Sequence, residues 1–496
     1  MMRRLTRLVL AAFSLVAATA CAPVGAPGPL NDPATGTPPS TATGGSTPDP
    51  SFPLVAGADV STTGDVTVVG IPAGSCINIT AAPIVVGDYV VIANHEGTRG
   101  CNERGAYGTS LLGYSISDGT LHELARGQSA EATPVYDAES GRLYWNGVFG
   151  GTVRVLDGAS FGTIASAPAT LKTTSDSAGV VIDGVYYFGT INSPEGACQT
   201  PVNPNCGAIF AFDGTTGTVL DSLNTDEGFR SWIGASLTTD GERLFVGGAE
   251  QFLGGSDSAF LYGCSAVVLS VELDVLGFAD PGVPGCHRTG QGGNDEDAVA
   301  GEVVLDDDSA WVQWTHASDT SNETIIARFD HDMNEVCRFT VPAGPGMVVG
   351  YYSGMALDRD GNLYATLRLA PSGKASEQEV LYRIDKDCQA TEIARIAGRH
   401  STSGPTLADD RYVLWAVDGD LHVYGLDGTL AATYALGSDA GVAGSPMIHE
   451  GVIYAVSHDG TLTIIRNSGL EGYGTATWPR YRHDNAGTGS LLTATS

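Results

Sequence analysis

Apolar and polar residues alternate along short segments of the chain, and each segment ends at a turn signal. The clearest example is residues 444–465, where Val452 to Val456 alternates as a strand, Asp459-Gly460 supplies a tight turn, and Leu462 to Ile465 returns as the next strand. A meander of this size cannot bury both of its faces alone. The pattern therefore predicts a repeat protein in which antiparallel sheets pack against neighbouring copies.

The same signature, a small residue followed by apolar residues, a turn and an aromatic strand, recurs along the chain. Copies begin near Ala82, Thr133, Ala178, Gly234, Ala300, Ser353, Gly404 and Gly444. Their spacing suits four-stranded units with loops of variable length, as in radial propellers. We therefore predict an all-β fold, an eight-bladed β-propeller of four-stranded antiparallel sheets, with seven blades as the alternative.

Composition supports the all-β class and excludes one class of partner. The 496 residues include 66 Gly and 24 Pro, and the formal net charge is -31. Binding to a phosphate backbone requires clustered Lys and Arg, which 25 basic residues against 56 acidic ones do not supply. Nucleic acid is therefore not an expected partner.

Four segments differ in composition. Residues 1–20 have basic residues followed by an apolar run, as in a signal peptide, and residues 21–53 are rich in Pro, Gly, Ser and Thr, as in a flexible tether. The repeats and a terminal Trp-containing element occupy residues 54–489, and residues 490–496 form a short tail. We expect these to be four functional divisions of the chain.

The leader resembles a bacterial lipoprotein signal, because small residues precede Cys21. The resemblance implies that Cys21 becomes the lipid-modified first residue of the mature protein. An ordinary secretory peptide cut nearby is the alternative. The expected location is the cell envelope, on the outer face of a bacterial membrane, and in the outer membrane if the host has one.

The repeats resemble the PQQ-like β-propeller repeat family, on the segments 445–462 and 210–217. The terminal Trp-Pro element, residues 478–489, is similar to one found beside such repeats. In this family the chain ends pair to close the ring, so Val60 to Ile71 is the candidate closing strand. We assign ring closure to Trp478, Tyr481 and Asp484.

Eight cysteines follow Cys21, and an even number in an exported chain indicates disulfides. They are Cys76, Cys101, Cys198, Cys206, Cys264, Cys286, Cys337 and Cys388. Cys198 and Cys206 share one insertion and form the firmest pair, while Cys337 and Cys388 follow matching strands of adjacent units and would join two blades. The sequence contains no Cys-x-x-Cys, so the cysteine spacing does not indicate a zinc site.

Candidate chemistry is sparse. Quinoprotein dehydrogenases share this repeat, but their adjacent cysteine pair is missing here, so we expect no bound quinone and no other cofactor. The acidic runs 294–297 and 306–308 offer oxygen ligands to Ca²⁺ without a calcium-loop spacing, and a solvated turn explains 306–308 better. We predict no catalytic and no metal-binding residues.

These features together favour a membrane-anchored, extracytoplasmic propeller that acts as a protein-binding or scaffold module. Two other classes stay open. One is an enzyme whose site is built on one propeller face from the long insertions of the third and fourth units. The other is a calcium-dependent adhesin.

Overall fold

In the part of the chain that it describes, the structure, a computed structural model, contains 37 strands, numbered β1 to β37 in chain order. It describes residues 52–72, 77–96, 107–147, 152–168, 177–190, 208–223, 235–247, 249–251, 265–279, 296–299, 301–317, 322–342, 354–369, 378–397 and 403–492. No helix long and apolar enough to cross a membrane occurs within these ranges.

The strands form eight antiparallel sheets arranged as the blades of a propeller, which confirms the predicted fold and the count of eight. Blades 1 to 4 comprise β4 (Ile84–Val86), β5 (Tyr89–Ala93), β7 (Ser110–Ser115) and β8 (Leu121–Arg126); β9 (Val135–Asp137), β10 (Arg142–Asn146), β11 (Val153–Asp157) and β12 (Thr163–Ser166); β13 (Val180–Ile182), β14 (Val185–Gly189), β15 (Ile209–Asp213) and β16 (Thr218–Leu223); β17 (Thr238–Thr239), β18 (Arg243–Gly247), β20 (Ala266–Ser270) and β21 (Val275–Ala279). Blades 5 to 7 comprise β23 (Val304–Leu305), β24 (Ser309–Ala317), β25 (Asn322–Asp330) and β26 (Glu335–Pro342); β27 (Ala356–Leu357), β28 (Leu363–Leu369), β29 (Gln378–Ile384) and β30 (Ala390–Ala397); β31 (Thr406–Ala408), β32 (Tyr412–Val417), β33 (Asp420–Gly425) and β34 (Leu430–Ala435). Blade 8 comprises β35 (Met447–His449), β36 (Val452–Val456), β37 (Leu462–Ile465), β2 (Val66–Gly70) and β1 (Asp59–Thr63).

Four short strands lie outside this pattern. β3 (Ile77–Asn78) pairs with β6 (His95–Glu96), and β19 (Ala249–Gln251) pairs with β22 (Glu296–Val299). β22 also pairs with β24, so the sheet of blade 5 is extended by segments that connect blades 4 and 5.

The core lies between neighbouring blades, because a propeller sheet buries both of its faces. Trp145, Trp311 and Trp415 are fully buried at such contacts. The aromatic residue on the second strand, visible in the sequence repeat, therefore fills the space between adjacent sheets. The radial stacking that the repeat pattern predicts is the main source of buried apolar area.

The two ends of the ring differ. At one end, which we call the turn end, connections of two to five residues join the first strand to the second in every blade and the third to the fourth in blades 1 to 7. Aspartates cap many of these turns; Asp213, for example, accepts from the backbone N–H of Thr215 and Thr216. The other end, the loop end, carries connections that range from two residues, between β32 and β33, to 24 residues, between β21 and β23.

The ring is closed by the N-terminal hairpin. β2 pairs antiparallel with β37, with Val66 opposite Ile465, so the start of the chain supplies the fourth strand of the last blade. The sequence interpretation of Val60 to Ile71 as a single strand was wrong in detail, because Gly64 has φ +59° and forms a two-residue turn with Asp65. β1 is thereby a fifth strand on blade 8.

The residues just before this hairpin hold blade 1. Val55 N–H donates to Leu121 O and Glu123 N–H donates to Pro53 O, at the outer strand β8. The ring of Phe52 packs edge-on against Tyr89 and Phe161, with centroid separations of 5.8 and 5.5 Å. Since Tyr89 and Phe161 lie at the turn end, the described part of the chain begins, at Phe52, at the turn end of blade 1.

A disulfide joins Cys337 and Cys388, with the two Cα atoms 5.8 Å apart. Cys337 lies on β26 of blade 5 and Cys388 in the turn after β29 of blade 6. The expected link between adjacent blades is therefore present. Cys21, Cys76, Cys101, Cys198, Cys206, Cys264 and Cys286 lie outside the described residues.

Replacing both cysteines of this link, Cys337→Ser with Cys388→Ser, should lower the free energy of unfolding by about 2–4 kcal/mol. Without the cross-link, the unfolded chain recovers the conformational entropy that loop closure removes. Denaturant unfolding of the two forms measures the difference. An unchanged midpoint would show that the packing between blades 5 and 6 needs no covalent support.

Candidate functional site

Small, buried residues line the centre of the ring. Each blade contributes the residue two positions before the start of its inner-strand pairing, and these residues are Ala82, Thr133, Ala178, Ser236, Glu302, Gly354, Gly404 and Ser445. Neighbours bond directly: Ala82 N–H donates to Thr133 Oγ1, and Ala178 N–H donates to Ser236 Oγ. All eight are buried. Seven of these eight are small, and Glu302 is the exception.

Residues 478–491, which we call the C-terminal hub, fill the channel from the turn end. In six blades, the backbone N–H of the second residue of the inner strand donates a hydrogen bond to the hub or to Tyr473 just before it. These bonds run from Val85 to Asn485 O (2.7 Å), Tyr136 to Ala486 O (2.9 Å), Thr239 to Gly489 O (3.0 Å), Leu357 to Trp478 O (2.7 Å), Leu407 to Pro479 O (2.8 Å) and Ile448 to the Tyr473 hydroxyl (3.1 Å). The inner strands therefore use the hub as a common partner.

Trp478 lies between blades 5 and 6. Its backbone N–H donates to Leu357 O at 2.9 Å, and its Nε1 donates to Glu302 Oε1 at 3.0 Å. The indole is fully buried and packs edge-on against His483. Trp478 thus contributes apolar area and two directed hydrogen bonds at the ring axis.

Tyr481 contacts residues that line the channel. Its hydroxyl is 2.8 Å from Ser236 Oγ of blade 4, and its N–H donates to Ser445 Oγ of blade 8 at 3.2 Å. A Cβ on Gly354 would lie 2.6 Å from the Cβ of Tyr481, so the throat accepts this ring only where its lining is small. Burial raises the pKa of Tyr481 to about 12, so the phenol stays neutral and keeps its proton for hydrogen bonding.

Arg482 and Glu302 form a buried ion pair at the centre. The guanidinium NH1 lies 3.4 Å from Glu302 Oε2, with side-chain exposures of 1% and 0%. The same guanidinium donates to Gly179 O and Leu237 O, and Arg482 N–H donates to Glu302 Oε1 at 2.8 Å. Burial raises the pKa of Glu302, while Arg482 and the two N–H donors oppose that shift. One residue of the hub thereby joins blades 3, 4 and 5.

The second pair of charges shapes the hub itself. Arg480 donates to Pro83 O and to Ser445 O, and therefore connects blades 1 and 8. Asp484 accepts from Ala486 N–H and Thr488 N–H and caps the turn that follows it. Arg482 and His483 both have φ of 69°, a left-handed conformation that costs energy for residues other than glycine. The surrounding hydrogen bonds hold the hub in this shape.

Trp478, Tyr481 and Asp484, which the sequence predicts to close the ring, lie together in the hub at the ring axis. Trp478 and Tyr481 bind four blades between them, while Asp484 shapes the turn that delivers Asn485 and Ala486 to blades 1 and 2. What this arrangement does chemically is satisfy buried polar groups. Arg482 is paired with Glu302, and Arg480 and Asp484 are bonded to backbone and side-chain groups of the blades and the hub.

Glu302 is the central residue that the sequence reasoning missed. It lies in the fifth repeat, where no catalytic or metal motif draws attention to it. An alignment of the eight inner strands carries the signal, because seven of the equivalent positions hold Ala, Thr, Ser or Gly. A carboxylate among small residues at the ring axis requires a basic partner, and the terminal element contains two arginines.

The acidic candidates are placed differently. Asp306 to Asp308 occupies the exposed turn between β23 and β24, where Asp308 pairs with Arg328. Of the 294–297 run, Glu296 and Asp297 belong to β22 and the rest lies outside the described residues. Among the side chains that the structure describes, no group of three or more His, Cys, Asp or Glu residues is arranged to hold a metal ion.

The enzyme alternative rests on long insertions in the third and fourth units. Residues 191–207 of the third unit and 252–264 of the fourth lie outside the described part of the chain. Their flanking strands, β14 with β15 and β18 with β20, all end or begin at the loop end. That end therefore carries the attachment points of both insertions.

No protein-family model matches the chain, and no significant relative is found among the curated proteins. Similar solved structures include BamB from Moraxella catarrhalis, which is 12% identical with a TM-score of 0.49 and a match covering 78% of this chain and 94% of that one. Kuenenia stuttgartiensis hydrazine synthase is 10% identical (TM-score 0.43; 68% and 95% covered), and a streptogramin B lyase is 13% identical (TM-score 0.37; 68% and 93% covered). The fold defined by strand pairing is an eight-bladed β-propeller, and these likenesses assign no function to it.

Proposed function

We propose that this chain is a lipoprotein of the PQQ-like repeat type, anchored through Cys21 to the outer face of a bacterial membrane, whose propeller binds a protein partner as a scaffold. The observation that carries the proposal is the hub. The chain's own residues occupy the ring axis and bond to every blade, so the axis is built for rigidity and leaves the outer surfaces for recognition. The proposal includes no bound quinone, because Trp478 and Tyr481 fill the space at the axis.

The loop end is the expected binding surface. The turn end carries short connections, the entry of the hub and the attachment of the N-terminal segment, whereas the long connections are all at the loop end. Binding residues are found disproportionately on loops held by a rigid scaffold. A tether of about 30 flexible residues, with a reach of roughly 30 Å, would join the propeller at its turn end, so the loop end is the end farther from the anchor.

A cross-linking experiment tests this placement on one blade. A photo-reactive residue at Asp439, exposed at the loop end of blade 7, should capture a protein partner in native membranes. The matched position is Asp427, exposed at the turn end of the same blade, and it should capture none. Capture from Asp427 alone would reject the proposed binding surface. So would the absence of capture from every exposed loop-end position, Asp439 included.

The anchor is tested separately. Cys21→Ser should move the protein from the membrane fraction to the soluble fraction, because lipidation supplies the binding energy and the propeller folds apart from it. The unfolding midpoint should stay unchanged. A variant that remains in the membrane fraction after a high-salt wash would contradict the lipoprotein assignment. The scaffold proposal is tested separately, by the cross-linking experiment.

A further inference from the structure

The outer edges of the blades are not alike. In blades 1 to 7 the pairing between the third and fourth strands contains a register shift, the mark of a β-bulge. β1 and β2, at the edge of blade 8, pair over five consecutive residues with no shift. Bulges on edge strands prevent other chains from pairing there. Blade 8 lacks this protection on the strand that ends its sheet.

β1 also lacks the charges that protect edges. All five of its residues are exposed, and Asp59 at its start is the charged one among them. Among the other outer strands, β26 carries Glu335 and Arg338 and β30 carries Glu392 and Arg395, whereas β12, β21 and β34 carry no charged residue, so the missing bulge is what sets β1 apart. Charged side chains on an edge strand disfavour pairing with another chain, whereas Val and Thr suit a paired strand. No described strand covers the outer edge of β1.

The direction of the free backbone groups follows from the bonds inside blade 8. Asp65 O accepts from Arg466 N–H at 2.9 Å, so the odd-numbered residues of β2 direct their backbone groups to β37. The even-numbered residues of β2 therefore bond to the odd-numbered residues of β1 opposite them. Val60 and Thr62 remain, and their N–H and C=O groups point outward.

We propose that β1 pairs antiparallel with β1 of a second copy of this chain, about a two-fold axis at Ser61. In this register Val60 of each copy lies opposite Thr62 of the other, and all four outward groups of each strand are used. Asp59 lies opposite Thr63, so no like charges oppose each other. A two-fold axis requires such a self-complementary strand, and the free groups of β1 are placed symmetrically about its central residue.

The twist of the sheet makes this pairing compatible with two anchored copies. Neighbouring strands rotate by about 20–25°, so β1 is turned by roughly 90° from β35, which lines the channel four strands away. The two-fold axis, which is normal to the sheet at β1, then lies near the direction of the ring axis. Two rings paired in this way stand side by side with their turn ends on the same side. The proposal does not depend on the anchor, but the anchor would concentrate both copies in one plane.

A symmetric cysteine tests the register directly. In the full-length protein extracted from membranes with mild detergent, Ser61→Cys should give a disulfide-linked dimer on gentle oxidation, because facing residues of a non-hydrogen-bonded pair lie about 4.5 Å apart at Cα. The matched control is Thr62→Cys, exposed on the same strand, whose two copies would lie about 8 Å apart and cannot be bridged. A dimer band for Ser61→Cys well above that for Thr62→Cys and for the unmodified chain is the expected result.

Removing an outward donor tests the interaction without a cross-link. Val60→Pro deletes an N–H that points away from β2, so the bonds within blade 8 stay in place. Light scattering should give twice the monomer mass for the unmodified protein and the monomer mass for this variant. If Val60→Pro lowers the unfolding midpoint, the comparison of Ser61→Cys with Thr62→Cys decides alone, since neither removes a backbone donor.

Three outcomes would overturn self-pairing. They are a monomer at every concentration with no Ser61→Cys dimer, equal dimer bands for Ser61→Cys and Thr62→Cys, or a disulfide from position 61 to a different polypeptide. The last result would assign the edge of β1 to an extended segment of another protein. Loss of partner capture at Asp439 would leave the dimer intact, so the two proposals fail separately.

Discussion

Trp478→Ala should lower the free energy of unfolding by about 3–5 kcal/mol and should destabilise the whole ring. The indole is fully buried between blades, so its removal leaves a cavity at the ring axis and deprives Glu302 of a hydrogen-bond donor. Loss of packing at Leu357 would also loosen the two backbone bonds that join Trp478 to blade 6. Few single substitutions reach this size.

Denaturant unfolding measures the effect, with Leu492→Ala as the matched control. Leu492 follows the hub and is 73% exposed, so its truncation should change the free energy by less than about 0.5 kcal/mol. Equal midpoints for Trp478→Ala and Leu492→Ala would mean that the hub is a passive tail. Deleting residues 478–489 should have a larger effect than Trp478→Ala, because it also exposes the inner strands of all eight blades.

Glu302→Ala should cost a similar amount, about 3–5 kcal/mol, for an electrostatic reason. The substitution leaves the Arg482 guanidinium without its carboxylate and leaves Arg482 N–H and Trp478 Nε1 without their shared acceptor. Buried donors without partners and an unpaired buried charge are both costly. Glu302→Gln retains one acceptor oxygen and should lose less.

An exposed ion pair of the same kind provides the control. Asp308→Asn removes the charge that pairs with Arg328. Asp308 is 79% exposed, so water screens the pair and the free energy of unfolding should fall by no more than about 1 kcal/mol. The loss of unfolding free energy should be largest for Glu302→Ala, smaller for Glu302→Gln and smallest for Asp308→Asn. If Glu302→Ala and Asp308→Asn unfold at the same denaturant concentration, the central ion pair does not hold the ring together.

The sequence predicts the blades well because each repeat carries its own local signals. The segment from Gly444 to Ile465 contains its turns and its aromatic strand within 22 residues, and the structure places three strands there. The terminal Trp-Pro element was visible for the same reason, since Trp478 and Tyr481 are large apolar residues in a polar stretch. Local turn chemistry and periodicity are sufficient for such features.

Features that depend on contacts between distant residues were not predictable in this way. Glu302 and Arg482 are 180 residues apart, and nothing near either residue indicates the other. The hairpin at Gly64-Asp65 was missed because a strand assignment for Val60 to Ile71 satisfied the alternation equally well. Its glycine is the local signal that was available, since a two-residue turn with Gly first suits a hairpin.

Hydrogen exchange in the Trp478→Ala protein tests the central claim most directly, because the hub binds the same N–H group of the inner strand in many blades. If the hub joins the ring, protection of the backbone N–H groups should fall together at Val85, Tyr136, Leu357 and Leu407, in blades 1, 2, 6 and 7. The backbone of Trp478 bonds to blade 6 and not to blades 1 and 2, so a loss at Val85 and Tyr136 must pass through the rest of the hub. Loss of protection confined to Leu357 and its neighbours in blades 5 and 6, with Val85 and Tyr136 as protected as in the unmodified protein, would contradict it.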